Sequence, residues 1–136
     1  MRRTCFVIFA MAASLAVSAQ ETEGWYHVTT SKDGNDEYSI KLGSGQRSEN
    51  KAGERITIAV GRNADKKAGR VNLAKWYVTD TDCEREYGNL TVLKMDGSLA
   101  FEAPFAKGSK NIASAIAETL CSVGVEQEKK AAGKGV

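Results

Sequence analysis

The chain has 136 residues with 19 basic and 17 acidic side chains, a formal charge of +2, 42% hydrophobic and 7% aromatic residues and a single proline. Residues 1–19 read as an export signal; without them Arg2 and Arg3 are gone and positive and negative side chains balance. That balance argues against a nucleic-acid binder, which carries a basic excess, while the size fits one domain and the lack of low-complexity runs excludes a fibrous or disordered chain.

The signal has its three parts in order. Met1-Arg2-Arg3-Thr4 is a short positive region, residues 5–17 are mostly apolar, and Val17-Ser18-Ala19 is a small-residue cleavage site before Gln20. The apolar run is shorter than the roughly 20 residues that span a bilayer. The expectation is cleavage near Ala19, a periplasmic or secreted product, and no transmembrane segment in the mature chain. Lipid anchoring would need a cysteine where Gln20 stands. Of three cysteines, Cys5 leaves with the signal, so Cys83 and Cys121 remain to pair in an oxidising compartment. Closing that loop is worth about 4 kcal/mol by the chain-entropy estimate. The competing readings are two free buried thiols or half of a metal site, with His27 and scattered carboxylates as the remaining ligands.

After a polar lead, residues 24–30 (GWYHVTT) are aromatic and β-branched, and predict a strand. A loop follows over 31–36. Residues 37–42 alternate, with Tyr38, Ile40 and Leu42 on one side and Ser39 and Lys41 on the other. Residues 54–60 (ERITIAV) predict a third strand and 61–69 a polar, flexible loop. Another strand is expected over 70–81, running into Asp80, Asp82, Cys83, Glu84 and Glu86, whose alternation on a strand would place the four acids on one side. Asp96-Gly97 is the signal of a two-residue hairpin turn. Pairing Met95 with Ser98 sets Leu99 opposite Lys94, Phe101 opposite Val92 and Ala103 opposite Leu90, with an apolar face of Leu90, Val92, Leu99 and Phe101 toward the core.

Beyond Pro104 the period changes. Ile112, Ile116 and Leu120 recur every four residues beside Ala113, Ala117 and Val123, predicting an amphipathic helix with Ser109 as N-cap and Gly124 as terminator. The domain thus spans 24–124, and 125–136 reads as a disordered tail. The expected class is α+β: an antiparallel sheet of five or six strands with one C-terminal helix across one face, fastened by the disulfide.

The opening Gly24-Trp25-Tyr26-His27-Val28, the strand end Tyr77-Val78-Thr79-Asp80-Thr81-Asp82-Cys83, the Asp96-Gly97 hairpin and the helix closing at Leu120-Cys121 resemble the surface-adhesin E type of small exported bacterial domain, over residues 24–124. The resemblance implies the same sheet, helix and single disulfide, in a family that takes its name from an adhesin that binds host proteins. Without a lipoprotein cysteine, this chain departs from the lipid-anchored adhesins.

No catalytic, cofactor or metal residues are expected. His27 is the sole histidine, its neighbours are strand formers, and no serine sits in a nucleophile elbow. Asp33-Gly34-Asn35-Asp36-Glu37 begins like a calcium loop, but Tyr38 stands at the turn glycine and Ser44 at the distal glutamate. Gly43-Ser44-Gly45 lacks the remainder of a phosphate loop. Arg47, Lys51, Arg55, Arg62, Lys66, Lys67, Arg70 and Lys75 outnumber Glu49, Glu54 and Asp65, a basic stretch suited to an anionic partner. The candidate contact residues are Arg62, Lys66, Lys67 and Arg70. The expected function is a binding module contacting a protein or an anionic surface. The alternative is a periplasmic inhibitor or immunity-type protein acting through a protruding loop at 61–69.

Overall fold

A computed structural model describes residues 24–134; the expected export signal at 1–19 lies outside them. The protein is α+β: seven antiparallel strands, a short helix and a long C-terminal helix. The elements are β1 Trp25–Thr30, β2 Asp36–Lys41, β3 Gln46–Glu49, β4 Arg55–Asp65, β5 Arg70–Thr79, α1 Asp80–Arg85, β6 Tyr87–Leu93, β7 Leu99–Ala106 and α2 Ile112–Lys134. The sheet order is β1-β2-β4-β5-β6-β7, with β3 also paired to β4. Because β4 is 11 residues long, its second half pairs with β2 and its first half with β3.

The helix expected over 109–123 is present but longer. Its N-cap is Asn111, whose Oδ1 accepts from the Ser114 N–H at 2.7 Å, and not Ser109. Nor does it stop at Gly124 or yield to a disordered tail; it runs to Lys134. Gly124 is there because the helix crosses the sheet at that point: a Cβ would lie 2.5 Å from Thr57 Oγ1. The polar residues after 124 belong to a helix still held to the domain, as Gln127 Nε2 donates to the Gly45 carbonyl just before β3 at 3.3 Å and Glu128 pairs with Arg55 of β4.

The predicted stripe does face the sheet. Ile116, Ala117 and Leu120 are buried against Ile40, Ala59, Trp76, Val78, Leu90, Val92 and Phe105. Gly61 makes room for Trp76, since a Cβ there would overlap the indole ring. Ser114, fully buried, accepts from the Ala106 N–H and ties the helix start to the end of β7. Phe101 is not part of this core. It pairs with Val92 as expected, yet it lies about 13 Å along β7 from Phe105 and α2 begins at the Phe105 end, so Phe101 is 57% exposed.

The β6–β7 turn also differs. Lys94 N–H donates to Ser98 O, Gly97 N–H to Lys94 O, and Gly97 has φ +93: a three-residue loop with its left-handed position at glycine. Leu99 therefore pairs with Leu93, and the register shifts before Val92↔Phe101. The extra residue, Ala100, swings Leu99 to the face opposite α2. A bulge at Val28 disrupts β1 likewise, and β7 carries Pro104, so bulges or proline mark both outer strands of the sheet.

Residues 61–69 are not a flexible loop. Ten residue pairs join β4 to β5 from Ile56↔Thr79 to Asp65↔Arg70, leaving a tight turn at 66–69 in which Gly69 N–H donates to Lys66 O.

The acids after β5 are not on a strand either. Thr79 Oγ1 caps α1 by accepting from the Asp82 N–H at 3.1 Å, and Glu86, at φ 69, closes it with its N–H on Asp82 O and Cys83 O. The Cys83–Cys121 disulfide, Cα to Cα 5.7 Å, joins α1 to α2. Among the described residues no helix is long and apolar enough to cross a membrane.

Candidate functional site

In three dimensions the basic stretch is divided. Arg47 is largely buried at the helix side, where its guanidinium donates to both Asp80 oxygens, to Thr57 Oγ1 at 2.9 Å and to Glu128 Oε1 at 2.9 Å. Arg55 shares Glu128 at 3.1 Å. The hydrogen bond to Asp80 raises the Arg47 pKa, and the same bond lowers the Asp80 pKa below the usual carboxylate value. This cluster joins β3, β4, α1 and α2 around Gly124, and its charges are spent on one another. Sequence reasoning missed it, since Arg47 and Glu128 are 81 positions apart. The helix α1 that carries Asp80 did have a local signal: Thr79 three residues before Asp82 is a capping-box spacing.

Lys66, Lys67 and Arg70 lie at the β4–β5 turn, all exposed. Acids of β1–β2 surround them. Lys66 Nζ is 2.8 Å from Glu37 Oε2, and that hydrogen bond lowers the glutamate pKa. Asn35 fastens this turn to the β1–β2 loop: its Oδ1 accepts from the Lys67 N–H and its Nδ2 donates to Asp65 Oδ1. Asp33 Oδ1 accepts from Ser31 Oγ and the Asn35 N–H. These carboxylates close turns, and among the described residues no three His, Cys, Asp or Glu side chains gather as a metal site would require. His27 is exposed, with Nε2 2.8 Å from Thr30 Oγ1.

Arg62 stands apart from the turn. Register places it on the sheet face opposite α2, and its guanidinium carbon is 4.6 Å from the Trp25 ring centroid, a cation–π distance. Its Nε is buried without a hydrogen-bond partner among the described residues.

That face is the main uncovered surface. Cross-strand partners share a face, so the pairings Trp25↔Lys41, Val60↔Lys75, Lys75↔Leu93 and Leu93↔Leu99 define one row across the sheet. The row beside it holds Ile58, Tyr77, Thr91 and Glu102. On the other side of the first row stand Arg62 and Leu73. Residues 48–52 wall one margin, making a groove of about 440 Å³ over Ile56, Ile58, Tyr77, Leu93 and Leu99. Val71, Leu73 and Leu99 are about half exposed or more. Exposed apolar side chains on an uncovered sheet face make this the candidate interaction surface. Alternation in β4 and β5 contained this second face, but the flip of Leu99 depends on a bulge that no sequence signal announces.

The chain matches no protein-family model, no curated protein and no solved structure.

Proposed function

We propose that the protein is an exported bacterial binding module, surface-adhesin E-like and without catalysis of its own, that acts in the periplasm or outside the cell and contacts a protein or an anionic surface. The observation that carries this reading is the uncovered sheet face, where exposed Val71, Leu73 and Leu99 are interleaved with Lys41, Arg62 and Lys75. Such a face combines apolar area for affinity with charge for steering. The basic turn residues Lys66, Lys67 and Arg70 sit at the end of the β4–β5 hairpin and extend the positive surface, although Glu37 offsets Lys66. The alternative, a periplasmic inhibitor or immunity-type protein, has less support, since its candidate loop at 61–69 is a strand with a tight turn.

The test is capture by the exported, disulfide-bonded protein from periplasmic extract and from host matrix proteins. Partners should be lost with Leu73→Ser/Leu99→Ser, weaken with Lys66→Glu/Lys67→Glu, and fade as salt rises. Capture unchanged by all three would defeat the reading.

A further inference from the structure

We infer that the occupant of the open sheet face is an amphipathic helix of a partner protein whose apolar stripe is flanked by carboxylates. The inference rests on the open face being the contact surface and adds what lies on it. The apolar groove crosses four strands, from Ile58 on β4 through Tyr77 and Leu93 to Leu99 on β7. Three strand spacings amount to about 14 Å, the rise of about nine helical residues. The opposite face of the same sheet is already covered by a helix, α2, which is how a sheet of this class hides an apolar face.

Charge sets the flanks. Lys41 and Lys75 lie in one row on either side of Val60, with Arg62 one row further along β4, so positive charge runs beside the groove at about 7 Å, two residues along a strand. Among the described residues none of the three has a carboxylate within ion-pair distance. Two acids line the groove, Glu102 at its β7 end and Glu49 on the 48–52 wall, where Lys51 stands beside it, so the positive flank is the side of Lys41 and Lys75. A partner helix with carboxylates beside its stripe meets unpaired cations here, and one with lysines meets repulsion. A second copy of the chain, seated face to face about a two-fold axis that runs across these rows, would oppose the cation rows to each other. A planar bilayer fits poorly, because strands rotate by about 20–25° from one to the next. Added strands are obstructed at the margins by the bulges and Pro104.

The probes are two synthetic helical peptides of about 18 residues, one with a leucine stripe flanked by glutamates and a twin with lysines in their place. Fluorescence anisotropy against the oxidised protein should show the glutamate peptide binding at least about tenfold more tightly than the twin. Lys41→Glu/Lys75→Glu should reverse that order, and Leu99→Ser should weaken the glutamate peptide without reversing it. Lys66→Glu/Lys67→Glu, away from the groove, should preserve the preference. Equal binding of the two peptides, or no reversal by the double variant, overturns the inference. So does concentration-dependent dimerisation abolished by Leu99→Ser, or binding to phosphatidylglycerol vesicles with none to either peptide. If neither peptide binds while captured partners still depend on Leu73 and Leu99, the contact surface stands and the helix assignment falls.

Discussion

Gly124 of α2 lies so close to Thr57 of β4 that a Cβ on the glycine would come within 2.5 Å of the threonine Oγ1. Thr57 is 1% exposed and its hydroxyl accepts from Arg47, so it has little room to give. An exposed mid-helix glycine gains about 1 kcal/mol when changed to alanine; here overpacking costs about 1–3 kcal/mol. Gly124→Ala should therefore lower the denaturant midpoint, and Gly124→Val should lower it further. A midpoint raised by the alanine would mean that the helix does not rest on Thr57.

The docking of α2 has a direct test. Leu120 is fully buried and Ile116 nearly so, and truncating such side chains costs about 2–5 kcal/mol. Leu120→Ala and Ile116→Ala should each produce a large loss in urea unfolding. Lys110→Ala, exposed before the helix, should change stability by less than about 0.5 kcal/mol. Similar effects at all three sites would contradict the packing.

The disulfide joins α1 to α2 across a sequence separation of 38. Unreduced protein should be two hydrogens lighter than the reduced form by mass spectrometry. Replacing both Cys83 and Cys121 with Ala should cost about 2–4 kcal/mol. Two alkylatable thiols in protein purified without reductant would refute the bond.

The Arg47–Asp80 pair makes stability depend on acid. Hydrogen bonds from Arg47 hold the folded Asp80 pKa below its unfolded value, so the pair's contribution is fully present above the unfolded value and is lost as pH falls through the folded one. Between about pH 5 and 2 the wild type should lose stability more steeply than Asp80→Asn. The difference should be modest, because the Asp80 side chain is 39% exposed. Parallel pH curves for the two proteins would exclude the linkage. Arg47→Lys should not restore the wild type, since an ammonium cannot hold Asp80, Thr57 and Glu128 in the geometry of the guanidinium fork.

Local pattern alone determined much of this protein. Period-two alternation in Tyr38–Ile40 and Ile56–Val60, the Asp96-Gly97 turn signal and the four-residue recurrence of Ile112, Ile116 and Leu120 were enough for an antiparallel sheet with a terminal helix, and cysteine arithmetic was enough for Cys83–Cys121. Each is a short-range preference or an elimination. Tertiary structure decided what depends on contacts between distant residues. Gly124 reads as a helix stop until Thr57 is known to lie beneath it, and the tail past it reads as unstructured until Glu128 finds Arg47 and Arg55. The basic stretch looks like one patch along the chain, but folding turns Arg47 inward to Asp80 and sets Glu37 against Lys66. The uncovered face was the least legible part, because a bulge at Ala100 decides which side Leu99 takes and an inserted residue reverses a period-two pattern without altering composition.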